Sequence, residues 1–351
     1  MPILQLYSAD SRGVVQSRIC PLPDCSSAVV RKEINGEYSL TFTAPAGSMY
    51  EDEILLGRAV KARVSESGTD QFFIIKRRTR TLLGEWNVYA EHQSYYYNGV
   101  LLRGTSGGSR TASLAVYQLS TAAIPSISGL GTITKSITGN PSVITDAISS
   151  PTPLRRLLFD WLVRAFGGEL VFDGFNVTWV DAVGADNGAA YRYGVNLTEM
   201  ESEEILDDYA SGIMPYWGSI DPKTNVGIVT IEGNVLNFPG AWPMEVIVPV
   251  NLTSKFENQP TAAQLLAAAQ DYVAKNAPSG VPLSIRASRA RIDGDVPVDL
   301  GDTVRVVNTP WGLDTKTRIQ ALTFDALQGR VIDVQLGNIN PGFAGAVQRM
   351  K

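Results

Sequence analysis

The chain opens with short runs in which apolar and polar residues alternate, the period of a strand buried on one face. AVVRKEI (Ala28 to Ile34) and EYSLTFTAP (Glu37 to Pro45) carry β-forming residues on both arms of an Asn35-Gly36 step, which predicts a hairpin. After the loop AGSMYEDE come AVKARVSES and QFFIIKRRTRTLL, joined across Gly68, and Gly84 turns the chain into EWNVYAEH. Strands at this short spacing, with no helical period between them, predict an antiparallel barrel or sandwich over residues 1–97.

The pattern changes at Gly99. From Arg103 to Ser142 the chain is rich in Gly, Ser and Thr and poor in charge, which suits either a flexible loop or a run of short edge strands. A helical period then appears: Leu154, Leu157, Leu158, Trp161, Leu162, Ala165 and Phe166 share one face. Thr152 is placed to cap it, Pro153 suits the first turn, and Gly167-Gly168 end it. ELVFDGFNVTWV follows, a hairpin turning at Asp173-Gly174, so helix and hairpin form a small α+β unit. A second helix is expected over Thr261 to Asn276, entered after Pro260 and closed by Pro278 and Gly280. The remainder returns to strands.

Those late strands echo the early ones. LLGRAVKAR (Leu55 to Arg63) and DLGDTVRVV (Asp299 to Val307) share Leu-Gly-x-x-Val-Lys/Arg. Each leads into a long strand, a glycine turn and a final strand; Gly84 lies 27 residues after Gly57, and Gly329 lies 28 after Gly301. Such self-similarity suggests two copies of one barrel, with helical segments inserted around them.

Composition narrows the function classes. A chain of 351 residues exceeds one ordinary core. It is 44% hydrophobic and only 19% charged, which favours an assembly hiding surface between subunits. A formal net charge of -5 indicates no general attraction to nucleic acid. The most basic stretch, Lys76 to Arg80, reads as a solvated strand end; as a phosphate patch it lacks interleaved aromatics and a second basic strand. No apolar run approaches the ~20 residues of a membrane helix, and no signal peptide opens the chain, so cytoplasmic folding without stable membrane insertion is expected.

Candidate chemistry is sparse. His92 is the single histidine, so any Ser-His-Asp or Cys-His enzyme must use it. The alternation of WNVYAEH puts it in phase with Trp86, Val88 and Ala90, as a packing or capping residue at a strand end. Nucleophile-elbow, phosphate-loop and His-Glu-x-x-His patterns are missing. Cys20 and Cys25 leave a local disulfide, free thiols and a zinc site open, although zinc needs about four ligands. The acidic run Glu199 to Asp208 lacks calcium-loop spacing and reads as a solvated connector or an opportunistic cation site. Tyr95, Tyr96 and Tyr97, on both faces if the strand continues, suit core and interface packing, or a carbohydrate-stacking platform. No catalytic, cofactor-binding or metal residue is assigned, and no cofactor is expected.

Several stretches in order resemble a known family. EINGEYSLTFTAP is followed by FFIIKRRTRTLLGEWNVYAEHQSYYY, GGELVFDGFNVTWV, DNGAAYRYGVNLTEMESEE and MPYWG. This order, from about residue 25 to 340, is similar to the phage tail hub family, also called the prophage tail endopeptidase or tail-associated lysin N-terminal region; baseplate hubs share its fold. The resemblance implies a mainly β chain with α+β insertions and two related antiparallel β-barrel domains. On that basis residues 1–97 form the first barrel, completed by about 189–212, and 98–188 an inserted α+β domain. Residues 213–258 and 283–340 form the second barrel, 259–282 a helical insertion and 341–351 a C-terminal tail.

The resemblance further implies a homotrimer whose barrels make a six-fold-like ring at the virion tail tip or baseplate, assembled in the host cytoplasm. The ring docks the distal tail or tail tube protein, with the tape-measure protein and other tail-tip, fibre or lytic proteins as partners, and carries DNA only in transit. Because the chain stops at NINPGFAGAVQRMK, a hub without its own lytic domain is expected. The competing functions are a cell-wall-degrading tail endopeptidase or hydrolase, and a receptor- or carbohydrate-binding tail-tip module.

Overall fold

The computed structural model describes residues 3–145, 147–204, 210–220, 227–240, 243–256, 258–276, 283–289 and 296–337. Seven strands come first: β1 (Leu4–Ala9), β2 (Val15–Leu22), β3 (Ser27–Glu33), β4 (Tyr38–Ala44), β5 (Ala59–Arg63), β6 (Asp70–Arg80) and β7 (Trp86–His92). Their pairing follows the order β3-β4-β7-β6-β5-β1-β2. The alternation read from the sequence is the reason: Ala28 and Val30, Leu40 and Phe42, Val88 and Ala90 all turn inward and are fully buried. Burying a ring such as Phe42 contributes roughly 2–3 kcal/mol.

The inserted unit carries β8 (Gly108–Thr111), α1 (Ala112–Thr121), β9 (Ile133–Ser136), β10 (Ser142–Thr145), α2 (residues 154–166), β11 (Glu169–Asp173) and β12 (Asn176–Val180). It has a core of its own, in which Leu119, Leu158, Leu162, Val177 and Trp179 meet Tyr97. Gly167 and Gly168 take positive φ and end α2, and the Trp179 indole N–H donates to the Gly167 carbonyl at 2.9 Å.

After the insert come β13 (Ala190–Arg192), β14 (Leu197–Glu204), β15 (Gly212–Ile220), β16 (Gly227–Glu232), β17 (Ile247–Asn251) and α3 (Ala262–Asn276). The last strands are β18 (Leu283–Arg289), β19 (Thr303–Asn308), β20 (Leu313–Asp325) and β21 (Arg330–Gly337). Strands β14-β18-β21-β20 join the first seven through a β20–β3 pairing, and β19 with β13 branches from β20, giving one 13-stranded sheet. One hydrophobic cluster runs through it, from Leu6, Phe42 and Phe73 to Val304, Phe324 and Leu336.

The order β3-β4-β7-β6-β5-β1 is repeated by β14-β18-β21-β20-β19-β13. The match reaches individual bonds. The Gly57 N–H donates to the Ile75 carbonyl at 2.9 Å and the Ile75 N–H to Arg58; the Gly301 N–H donates to Ile319 at 3.0 Å and the Ile319 N–H to Asp302. A bulge follows each isoleucine, between Ile75 and Arg77 and between Ile319 and Ala321. The Leu-Gly-x-x-Val repeat is therefore a repeat of structure. The copies differ at their outer strands: β1 runs antiparallel to β5, whereas β13 runs parallel to β19.

Several sequence expectations change. The Gly/Ser/Thr-rich stretch contains a helix, α1, capped by the Thr111 side chain accepting from the Leu114 N–H. Its Ser, Thr and Val residues are indifferent helix formers, and burial of Ala112, Ala115, Val116 and Leu119 decides the outcome. Thr152 does not cap α2: it pairs with Leu102, and its hydroxyl donates to the Ser150 carbonyl. The later hairpin turns at Gly174-Phe175, since Asp173 and Asn176 are paired. Helix α3 is entered as expected, with Thr261 and Gln264 exchanging capping bonds; Pro278, Gly280 and the tail 341–351 lie outside the described residues.

Two segments pair differently from their sequence assignment. β13 and β14, within 189–212, pair with β19 and β18 in the second repeat. β15, β16 and β17, with Leu236–Asn237, form a separate four-stranded sheet, which packs with α3 around Trp217, Phe238, Leu252 and Leu265.

Candidate functional site

The end of β7 turns directly into a short 3-10 helix, Gln93–Asn98, rather than continuing as a strand. His92 makes that turn. Its ring Nδ1 accepts from the Ser94 N–H at 3.3 Å, so the ring proton sits on Nε2, which faces Gln71 Oε1 at 3.1 Å. Gln71 in turn donates to Asp173 Oδ1 at 2.8 Å and accepts from the Gly174 N–H at 3.0 Å, tying β6 to the inserted hairpin.

Aromatic rings close the centre. Tyr38 stacks on the imidazole at 4.2 Å between centroids, and Phe73 meets it edge-on. Burial, with Arg155 and Lys32 nearby, pushes the His92 pKa down to about 3, so it is neutral throughout the ordinary range. Ser94 Oγ lies 3.0 Å from Nδ1 and accepts from Arg155. Ser94, His92, Gln71 and Asp173 thus have the connectivity of a nucleophile, base and orienting groups. Yet Ser94 and His92 are both 0% exposed, and Ser94 is bound on either side. Closed off from solvent, the cluster fastens the end of β7 to β6 and to the inserted hairpin.

The tyrosines complete the fastening. Tyr97 is fully buried and donates to the Phe175 carbonyl. Arg155 lies 3.8 Å from the Tyr95 ring centroid and reaches the Gly36 carbonyl at 3.1 Å. Tyr96 meets Phe175 edge-on. The Arg318 guanidinium joins the second repeat to the insert by bonding both Glu169 oxygens and the Val183 carbonyl at 2.5 Å.

A cleft of about 420 Å³ opens beside this junction, lined by Lys32, Tyr38, Gln71, Asp173, Asp299 and Asp302. Asp299 and Asp302 are engaged in holding backbone, and Asp173 is bound by Gln71. Asp302 accepts from the Ala185 and Asp299 N–H groups, and Asp299 from the Leu300 N–H and from Lys32. Among the described residues no three His, Cys, Asp or Glu side chains are grouped to hold a metal ion. Cys20 and Cys25 are both free. Burial, with Asp24 beside it, raises the Cys25 thiol to about 12, so neither a disulfide nor a reactive thiolate is built there.

The open features lie at strand edges. Along β6, β5 pairs with residues 70–74 only, and among the described residues no strand continues along that edge past Ile75. Here stand Lys76, Arg77, Arg78 and Arg80, with the Trp86 ring 4.6 Å from the Arg78 guanidinium and 5.3 Å from that of Arg80. Beyond them the hairpin tip exposes Leu82 fully and Leu83 by 81%. β14 is the last strand at the far end of the sheet, with Glu199 and Glu201 exposed. The acidic run of the sequence is therefore an edge strand up to Glu204; residues 205–208 lie outside the described residues. The alternating Glu199, Glu201 and Glu203 were the signal for it.

No helix among the described residues is long and apolar enough to cross a membrane. No sequence-family model and no curated protein matches the chain. Solved structures do. The prophage tail protein gp18 from Listeria monocytogenes EGD-e is 15% identical at a TM-score of 0.63, over 100% of this chain and 98% of its own. The tail protein from Neisseria meningitidis MC58 is 12% identical at 0.63, over 97% and 98%. The prophage MuSo2 43 kDa tail protein from Shewanella oneidensis is 13% identical at 0.63, over 96% and 98%. The likeness is one of fold over nearly the whole length: this mainly β chain has the fold of prophage tail proteins.

Proposed function

We propose that the chain is a structural component of a phage or prophage tail, the hub at the tail tip or baseplate. In this reading three copies form a ring on the distal end of the tail tube, and DNA passes through its centre. The tail tube or distal tail protein sits on one side. Tape-measure, fibre and lytic proteins meet the ring as separate partners. The chain acts by assembly, not by catalysis.

The observation that carries the reading is the internal repeat. A chain holding two copies of one sheet unit presents six similar units in a trimer, which suits a six-fold tube. The fold of prophage tail proteins supports the same role. The buried Ser94–His92 pair favours a fastening over a hydrolytic centre. Solution mass combined with negative-stain imaging tests it. A ring of three chains with six peripheral lobes is expected, and a closed two-fold dimer overturns it.

A further inference from the structure

The two repeats within one chain are joined edge to edge, and that junction leaves two edges unused. In the second repeat, β20 carries β19 on one edge as far as Arg318 and then β3 on the same edge, with Ala321 opposite Glu33 and Asp325 opposite Val29. The equivalent edge of β6 carries β5 as far as Ile74 and then no strand among the described residues. The equivalent of β3 in the second repeat is β14, whose outer edge is also unpaired by any described strand. Each chain thus offers one open socket and one open strand of the kind that its own internal junction joins.

We infer that β14 of one copy pairs with residues 78–81, the end of β6 and the residue after it, in a second copy, in the register of the internal β3–β20 junction. The interface rests on the reading that the chain acts as a ring of copies. The register follows from pairings already described. Arg77 and Ala321 are equivalent, because Gly57 to Gly301 and Ile75 to Ile319 are both separated by 244 residues (301 less 57, 319 less 75). Tyr89, opposite Arg77, pairs with Thr41, which pairs with Val29. Gln335, opposite Ala321, pairs with Arg286, which pairs with Glu201. Glu201 is therefore the counterpart of Val29, and Thr81 that of Asp325. Between copies, Glu201 falls opposite Thr81, Ser202 opposite Arg80, Glu203 opposite Thr79 and Glu204 opposite Arg78.

That register brings the most basic stretch of the chain against its densest acidic one. Arg78 falls opposite Glu204, with Arg80 diagonal to it, and Arg77 is diagonal to Glu203. The opposite charges also suppress pairing of either edge with itself, the usual hazard of an open strand. The hairpin tip supplies a second observation. In the second repeat the corresponding tip is covered: Ala326 is 1% exposed, Leu327 packs on the main core, and the Ala326 N–H donates to the Ala28 carbonyl at the start of β3. In the first repeat Leu82 and Leu83 stand bare at that place. A copy of β14 arriving as β3 does covers them. The contact is head-to-tail, the kind of interface from which a ring of copies is built when the rotation between neighbours closes.

Disulfide trapping tests the interface. In a Cys25→Ser background, chains carrying Thr81→Cys are mixed with chains carrying Glu201→Cys under mild oxidation. Side chains directly opposite on paired strands lie close enough to bridge. Cross-linked pairs are expected, and the doubly substituted chain should give a ladder ending at three. Thr81→Cys with Thr198→Cys, out of register, should give none. Arg78→Glu with Arg80→Glu should lower the yield about tenfold through like-charge repulsion with Glu204, and Glu204→Arg in the partner, opposite position 78 and diagonal to position 80, should restore it. A trimer by mass that does not cross-link at this pair overturns the interface and leaves the hub reading standing. A cross-link whose ladder ends at two chains supports the interface and overturns the ring.

Discussion

Ile75 and Ile319 occupy one position in two copies of a motif. Each accepts at its carbonyl from a glycine N–H, Gly57 at 2.9 Å and Gly301 at 3.0 Å, and each is followed by a bulge that bends the long strand onward. Both glycines hold positive φ, near +81° and +84°, where a side chain is strained. The copies differ in their surroundings. A Cβ on Gly57 meets nothing within 4 Å, whereas one on Gly301 falls 2.3 Å from the Val183 carbonyl.

Gly57→Ala is therefore expected to cost about 1 kcal/mol from backbone strain alone. Gly301→Ala should cost clearly more, because the segment before β13 must also move away. Chemical denaturation of the two variants side by side measures the difference. Equal losses would show that the Val183 contact yields freely.

Histidine 92 makes stability depend on pH in a defined window. Its folded pKa, about 3, lies below the unfolded value near 6.5. Above pH 6.5 both states are neutral and the full stability is present. As pH falls below that value only the unfolded chain takes up the proton, so stability drops by about 1.4 kcal/mol per unit until the folded pKa is reached. Between pH 7.5 and 5.0 a loss of about 2 kcal/mol is expected. With no other histidine in the chain, His92→Gln should flatten this slope in denaturant titrations at the two pH values.

Arg318 fastens the second repeat to the insert through a forked contact with Glu169, whose side chain is only 13% exposed. Arg318→Ala leaves that carboxylate half-buried without its partner, at a cost of about 3 kcal/mol. Arg318→Lys keeps the charge but cannot reproduce the fork, and about half the loss should remain. Limited proteolysis of the 181–189 connection, alongside denaturation, reads both effects.

The two hairpin tips should respond in opposite ways. Leu82→Ser with Leu83→Ser ought to leave the stability of the isolated chain within about 0.5 kcal/mol, since both side chains are already in water. Leu327→Ser, in the covered tip, should cost about 1–2 kcal/mol. Melting curves at low protein concentration, where the chain is unassembled, make the comparison.

Both thiols should titrate only on unfolding. Burial raises the Cys20 and Cys25 pKa values, Cys25 to about 12, so little thiolate is present at pH 8. Reaction with a disulfide reagent is expected to be slow in the native protein. It should account for both cysteines in guanidinium, and fewer would reveal a disulfide.

Much of this protein is legible in its sequence, because alternation, glycine turns and capping residues act locally. The strands of residues 27–92, helix α2, helix α3 and the Gly57/Gly301 repeat all follow from such signals. The fold resemblance rests on motifs spread over nearly the whole chain. What the tertiary structure alone decides is where each strand finds its partner. β14 pairs with β18 across about 80 to 90 residues, and strands β15, β16 and β17 leave the main sheet for α3. No local pattern encodes such long-range choices, because any amphipathic strand satisfies its own period beside many neighbours. Helix α1 is the same case: weak formers became helical because a core was waiting for Ala115 and Leu119. His92 looked exceptional as a solitary residue in a sequence. Burial, which only the folded chain supplies, turns it from a candidate base into the neutral clasp between a sheet and its insert.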